Sequence, residues 1–383
     1  MAADPGGDRG RDLAVAPSGR PAHRRSAICR YPGRRLARPG RGARAHRERD
    51  PGDERGASSR PLPVRRRSAA VQLRGALVNI SIRYLTTYTY DVDVSDSHNA
   101  LRACPADGNG QTLRRYEVQV DPFARVVSYQ DYWGTRVDCF GIVDKHTRLT
   151  VVADAEVETT VPPRPQSEGA WPPAAAMEGW YEYLMPSPHV AWDERIRKFG
   201  LEATAGVSSA VEAAVAVQRA VGEYLSYESG STEVGTSVES IMEQQSGVCQ
   251  DYAHVALAVY RSLGFPARYV SGYLYAVDSS SGEQPEDAGE IDVSTHAWVE
   301  VAIPGHGWWA LDPTNQLVVG EQHVKIGHGR DYEDVTPLRG VYHGEAEAGG
   351  LAVGVKMSRS GLTTHQIEPQ PVYRRSQEQQ QQQ

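Results

Sequence analysis

The chain has 383 residues and a net charge of -7, with 40% hydrophobic and 23% charged residues. This composition is typical of a globular protein, and the length allows two domains of ordinary size. No run of 18 apolar residues occurs, so we predict neither a transmembrane helix nor a membrane partner. The arginine-rich start has no apolar segment and does not read as a signal peptide.

Charge is distributed unevenly along the chain. Residues 1–75 contain nineteen arginines, no lysine and seven acidic residues, so the rest of the chain is strongly acidic. An acidic body argues against nucleic acid as a partner of the globular part. Residues 1–75 hold few large apolar side chains and are predicted to be disordered. They could be a nucleic-acid-binding arm, a transit peptide or, as we favour, translation from a start misassigned upstream of Val78.

The cysteines show no spacing that would suit a metal site or a disulfide framework. There are four of them, at Cys29, Cys104, Cys139 and Cys249. So few cysteines in a long chain indicate a reducing compartment, and we predict the cytoplasm. The sequence predicts no cofactor and no metal.

The chain divides into five predicted segments. After the disordered residues 1–75, alternating short strands at 76–162 predict an N-terminal β-sandwich domain. Proline and alanine at 163–180 are typical of a linker, and 181–360 is predicted to be the catalytic domain. The glutamine-rich tail at 361–383 is predicted to be disordered.

One cysteine lies where a reactive thiol is expected. Apolar residues recur at helical spacing after Cys249, and Gly264 supplies a helix stop, so Cys249 falls in the first turn of a helix. A helix N-terminus carries about half a positive charge and favours the thiolate, which is the nucleophilic form. The alternative is a small buried cysteine with no chemical role.

A base and an orienting acid are found downstream, on a predicted hairpin. His296 opens an alternating strand, a Pro-Gly-His-Gly turn follows at 304–307, and Asp312 closes the next strand. A turn centred on 304–307 does not place His296 directly opposite Asp312. The strand register that such a turn sets differs by three residues from the register that direct opposition needs. We therefore expect a bulge or an asymmetric turn around Gly305–Gly307.

Three separated motifs now occur in a recognisable order. They are Gly247-Val-Cys249-Gln-Asp, Thr295-His296-Ala-Trp298 and Leu311-Asp312-Pro-Thr-Asn315. In this order they resemble the transglutaminase-like superfamily and, more narrowly, its bacterial branch of transglutaminase-like cysteine proteases. The stretches 264–274 and 329–335 are also similar to that branch, and Thr87–Tyr90 and Asp131–Gly134 resemble the N-terminal domain that precedes it.

The resemblance implies a fold and an activity. The implied fold class is α+β, with a Cys-bearing helix packed on an antiparallel sheet in a papain-like core. The implied triad is Cys249 as nucleophile, His296 as base and Asp312 as orienter, acting on a protein or peptide substrate. The thioester could be resolved by water, as in a cysteine protease or amidase, or by an amine, as in a transglutaminase; we favour water. A non-catalytic peptide-binding module on the same fold is the alternative.

An acidic loop at 278–292 leads directly into His296. It could rim the substrate cleft or bind calcium weakly, because hard cations prefer several carboxylates. It lacks EF-hand spacing, so a solvated loop is the favoured interpretation. The sequence leaves the oligomeric state open.

Overall fold

The computed structural model describes residues 11–13, 77–166, 168–171, 179–275, 290–346 and 348–360. The predictions for nearly all of 1–75, for the acidic loop up to residue 289 and for the tail from 361 lie outside these residues. No helix in the described part is long and apolar enough to cross a membrane.

The chain forms sixteen described strands and four α-helices. The strands are β1 Arg11–Leu13, β2 Val78–Leu101, β3 Gln111–Asp121, β4 Val127–Gln130, β5 Arg136–Ile142, β6 His146–Thr159, β7 Ser226–Tyr227, β8 Ser246–Gly247, β9 Ala267–Leu274, β10 Ile291–Val293, β11 Thr295–Ile303, β12 Gly307–Asp312, β13 Leu317–Val318, β14 His323–Gly329, β15 Leu338–His343 and β16 Ala348–Ser360. The helices are α1 Glu194–Ala203, α2 Ala210–Tyr224, α3 Val238–Gln244 and α4 Cys249–Ser262, and two short 3₁₀ helices lie at Tyr181–Leu184 and Tyr332–Val335.

The N-terminal region is built around β2, a strand of 24 residues that takes part in two halves of one sheet. Its first half pairs with β6 and β16, and its second half pairs with β5 and β15, all antiparallel. Inward residues of both halves, such as Tyr84, Val151 and Phe140, share one apolar core. From Leu149 to Thr159 burial alternates strictly along β6, so this strand has one face in that core.

The C-terminal strands pair with the N-terminal region. Residues 351–357 lie in β16, which pairs with β2 along its first half. β15 likewise pairs with the second half of β2, and β10 adds to the far edge of β16. The β-domain is therefore built from strands that come before and after the five-stranded sheet in sequence, and β2 has partners on both of its edges.

The second region contains a five-stranded antiparallel sheet in the order β13-β12-β11-β9-β14. Helix α4 packs on β11 and β9 and is covered on its other sides by α1, α2 and α3. The sequence suggested one apolar face for α4, but every residue from Asp251 to Arg261 is buried. The predicted α+β class, with a β-sandwich-like domain and a Cys-bearing helix on an antiparallel sheet, is confirmed.

The ends of the helices follow the sequence signals. Ser209 caps α2 by accepting a hydrogen bond from the Glu212 N–H at 3.1 Å. The helix α4 ends before Gly264, whose φ of +88° is the left-handed conformation that glycine adopts readily. These two signals fix where the helices that position the site begin and end.

Candidate active site

Cys249 is the first residue of α4 and is partly exposed. The helix start is held by Asp251, whose carboxylate accepts hydrogen bonds from the Val248 N–H at 2.8 Å and from the Thr232 hydroxyl at 2.6 Å. A Cβ on Gly247 would come within 2.6 Å of the Asp251 carboxylate, so the chain needs glycine there. The loop and the first turn are therefore locked together beside the thiol.

His296 and Asp312 are hydrogen-bonded, but not by the register that the sequence suggested. β11 and β12 pair without a shift from Val299 opposite Leu311 to Ile303 opposite Gly307, so the register shift that we expected from a bulge or an asymmetric turn is absent. Continuing this register puts Asp312 opposite Trp298, with His296 on the same face and diagonal to it. From there His296 Nε2 donates to Asp312 Oδ2 at 2.8 Å.

Asp312 is fully buried and surrounded by donors. Its Oδ1 accepts from the backbone N–H groups of Thr314 and Asn315 at 3.0 and 3.1 Å. The Asn315 side-chain amide donates to Oδ2 at 2.8 Å. On α2, the side-chain amide of Gln218 donates to the backbone carbonyl of Asp312 at 2.9 Å. The Asp-Pro-Thr-Asn motif thus folds back on its own carboxylate and fixes the orientation of that group.

A second imidazole binds the same carboxylate, and the sequence did not reveal it. His323, at the start of β14, lies 3.2 Å from Asp312 Oδ2 through its Nε2. The N–H of Gly320 donates to His323 Nδ1 at 3.4 Å, so Nε2 is the nitrogen that carries the proton. His323 is therefore a donor to Asp312. The only sequence signal for it was a histidine eleven residues after Asp312, with no motif around it.

The charges of the three polar groups follow from burial and contact. Burial alone would lower the pKa of His296, but the charge and hydrogen bond of Asp312, together with a hydrogen bond to Cys249, raise it to about 10. Burial raises the pKa of Asp312, yet the contacts with His296 and His323 hold it well below its ordinary value. Burial lowers the pKa of His323 more than Asp312 raises it. At neutral pH the group holds an imidazolium, a carboxylate and a neutral imidazole.

Each ring nitrogen of His296 has its own hydrogen-bond partner. Nε2 is engaged by Asp312, so Nδ1 is the nitrogen that remains for the hydrogen bond with Cys249. The order thiol, imidazole, carboxylate is the arrangement that activates a nucleophile for acyl transfer.

The ligand atoms of His296, Asp312 and His323 lie within 4.8 Å of one another, a spacing that could hold a metal ion. Hydrogen bonds account for the arrangement, because both Nε2 atoms donate to Asp312 Oδ2. No metal is predicted from the sequence, and the positions of the three side chains need no metal to explain them.

The tryptophans near the site have distinct positions. Trp298 is buried, and its ring contacts the His296 ring at 6.0 Å and the His323 ring at 5.3 Å between centroids. A Cβ on Gly272 would clash with the Val324 carbonyl oxygen and come within 2.5 Å of the Trp298 ring, so only glycine leaves room for both. Trp298 therefore packs against both imidazoles that bind Asp312.

Comparison with known proteins agrees with this geometry. Residues 197–313, which contain Cys249, His296 and Asp312, match the family model of the transglutaminase-like superfamily. Residues 80–158 match the bacterial transglutaminase-like N-terminal region, which corresponds to β2 through β6.

Two mycobacterial proteins match this chain over most of their own length. An uncharacterized protein of Mycobacterium leprae, ML0607, is 37% identical over 278 residues, which are 72% of this chain and 96% of that protein. An uncharacterized protein of Mycobacterium tuberculosis, Rv2569c, is 28% identical over 292 residues, covering 72% of this chain and 90% of that one. The crystal structure of a candidate cysteine protease from Cytophaga hutchinsonii superimposes with a TM-score of 0.59 at 21% identity, covering 75% of this chain and 99% of that one.

Proposed function

Because the chain belongs to the transglutaminase-like superfamily, we propose that it is a cysteine enzyme that transfers acyl groups from amide bonds. In this proposal Cys249 is the nucleophile, His296 the acid and base, and Asp312 the orienting carboxylate. The observation that carries it is the hydrogen bond from His296 Nε2 to Asp312 Oδ2 at 2.8 Å, together with the hydrogen bond between Cys249 and the same imidazole.

The reaction proceeds through a thioester. The Cys249 thiolate attacks the amide carbonyl carbon, and the C=O π electrons move to oxygen. His296, held as an imidazolium by Asp312, donates its Nδ1 proton to the leaving amine as the C–N bond breaks. The backbone N–H of Cys249 is the proposed oxyanion donor, since the first N–H groups of a helix have no intrahelical acceptor.

The second half of the reaction depends on the acceptor. His296, now neutral, removes a proton from water, and the resulting attack on the thioester releases an acid and restores the thiolate. We propose water as the acceptor, because it is the default nucleophile in an open cleft. This makes the protein a cysteine protease or amidase acting on protein or peptide substrates in the cytoplasm. The free thiols of Cys104, Cys139 and Cys249 are consistent with a reducing compartment.

An amine acceptor is the second candidate. A protein-glutamine gamma-glutamyltransferase of Pseudomonas aeruginosa is 36% identical over 81 residues, which are 11% of that protein. The same triad would then attack a glutamine side-chain amide, and an amine would resolve the thioester. A peptide-binding module without catalysis is the remaining alternative.

Mass spectrometry of reaction mixtures separates these functions. The protein, Cys249→Ala and the control Cys139→Ala are each incubated with casein and a labelled primary amine. We expect new casein fragments with the wild type and with Cys139→Ala, and none with Cys249→Ala. Amine incorporated into glutamines in the same pattern would assign the transglutaminase activity. Identical products from all three proteins would refute both enzymatic functions.

A further inference from the structure

A cavity of about 190 Å³ lies on the face of the catalytic sheet that points away from α4. Its floor is formed by Glu300 and Lys325, and the turn at 108–111 of the β-domain closes it from the other side. The Gln111 amide donates to the backbone carbonyl of Lys325 at 2.9 Å and accepts from its N–H at 2.9 Å. Gln111 therefore fixes the position of Lys325 where the two regions meet.

The floor of the cavity contains more positive than negative charge. Lys325 Nζ donates to both oxygens of Glu300 at 2.8 Å, and Arg268 Nε donates to Glu300 Oε2 at 2.5 Å. Two cations therefore share one carboxylate. Among the residues that the structure describes, no other acidic side chain forms an ion pair with either cation.

The remaining titratable neighbours do not supply a negative charge. Arg268 Nη1 donates to His328 Nε2 at 2.9 Å, so His328 is an acceptor and neutral. Burial lowers the pKa of His328 to about 3, which keeps it uncharged. His306 and His323 are the other titratable side chains on the described cavity wall, and histidine is never an anion at neutral pH.

Only one of the two cations faces the cavity. The guanidinium of Arg268 is covered by the Trp308 ring, at 4.1 Å from its centroid, and does not line the cavity. Lys325 lines it, with both of its observed hydrogen bonds going to Glu300. Lys325, Arg268 and Glu300 together carry one net positive charge, and buried charge in proteins is normally balanced, so an anion beside Lys325 would balance it.

The walls define the rest of the ligand. They are polar and apolar in about equal parts, with Trp308, Val318 and Pro162 among the apolar groups and Asn109 and Thr160 among the polar ones. One net positive charge suits a single negative charge, and the apolar part of the lining suits a short aliphatic chain. A phosphate dianion would add one negative charge more than this site can balance.

We propose that this cavity binds a small aliphatic carboxylate, with its carboxyl group on Lys325 and its carbon chain against Trp308. The ligand is a free carboxylic acid or the C-terminal residue of a peptide. Trp298 and His323 also line the cavity, so it lies one layer of side chains from the imidazole–carboxylate pair. The binding of this ligand does not require the proposed catalytic activity.

Calorimetric titration of the full chain with butyrate tests the proposal. We expect butyrate to bind, and its neutral analogue butyramide to bind at least tenfold more weakly. Lys325→Met should weaken butyrate at least tenfold. The control Lys356→Met, which removes an exposed lysine paired with Glu290 at 2.7 Å, should leave binding unchanged. No butyrate binding by the wild type, or equal affinity in Lys325→Met, overturns the proposal.

The pH dependence of butyrate binding to the wild-type protein tests the proposal even if Lys325→Met does not fold. Burial and the nearby charge of Arg268 disfavour the protonated form of Lys325, whereas Glu300 favours it. The net effect lowers the pKa of Lys325 to about 8. Butyrate affinity of the wild type should therefore fall at least tenfold between pH 7 and 9.5, and a constant affinity overturns the proposal. Titration with acetyl-Ala-Val, which has a free C-terminal carboxylate, distinguishes a peptide C-terminus from a free carboxylic acid as the ligand. Tighter binding than butyrate assigns a peptide C-terminus, and weaker binding assigns a free acid.

Discussion

Replacing Asp312 by asparagine should remove the charge that keeps His296 protonated. The pKa of His296 is about 10 in the folded protein, against an ordinary value of 6.5. This difference corresponds to about 5 kcal/mol in favour of the imidazolium. Burial remains in the variant and opposes protonation, so we expect the pKa of His296 to fall below 6.5. At neutral pH the imidazole would then be neutral and could not protonate a leaving amine.

The same contact contributes to stability in a defined pH range. His296 has a raised pKa, so its contribution is complete below pH 6.5 and is lost as the pH rises through about 10. Asp312 has a lowered pKa, so its contribution is present above its unfolded value of about 4 and is lost in acid. For this pair, the free energy of unfolding should be greatest between about pH 4 and 6.5.

Titration of the His296 imidazole by NMR from pH 5 to 11 measures the first effect, and urea unfolding measures the second. Asp312→Asn leaves a buried partner unpaired and should cost about 3–5 kcal/mol. The matched control Asp154→Asn removes an exposed carboxylate paired with Arg83 at 2.7 Å and should cost less than about 1 kcal/mol. A His296 pKa that stays above 8 in the folded Asp312→Asn protein would contradict the reasoning.

Three other perturbations follow from the site. His323→Ala removes a donor to Asp312 and should lower kcat by about 10–100-fold with little change in KM, whereas His323→Gln keeps a donor and should recover most of the rate; equal kinetics for both would exclude a positioning role. Gly272→Ala should displace the Val324 carbonyl and the Trp298 ring and lower Tm by several degrees in a thermal melt, while Gly320→Ala, which meets open space, should not. Dialysis against EDTA should leave activity unchanged, because hydrogen bonds hold the imidazole–carboxylate pair; a loss reversed by zinc would assign a metal role.

The residue types of the candidate triad could be read from the sequence, because acyl transfer by a thiol needs a base and an orienting acid. Their exact register could not. We assumed that His296 and Asp312 lie directly opposite each other, which required a bulge or an asymmetric turn. In the structure a regular ladder places them diagonally, and their side chains cover the remaining distance. Sequence spacing alone does not distinguish opposite from diagonal neighbours.

Partners that come from distant parts of the chain were harder to predict. His323 reaches Asp312 across a loop without periodicity, so nothing local connects the two residues. The strands β15 and β16 alternate in the same way whichever sheet they join, and the sequence gives no indication that β2 is their partner. The stop of α4 at Gly264 was predicted correctly, since a glycine next to the helix end is a local signal.

The pairing of β2 has a consequence for the order in which the protein can be made. One edge of β2 is covered by β5 and β6, which follow it closely, but the other edge is covered by β15 and β16, about 240 to 280 residues later. During synthesis the growing chain must therefore carry an open strand edge until residue 360 has left the ribosome. A fragment cut at the N-terminal family boundary would keep that edge unpaired and should self-associate through it.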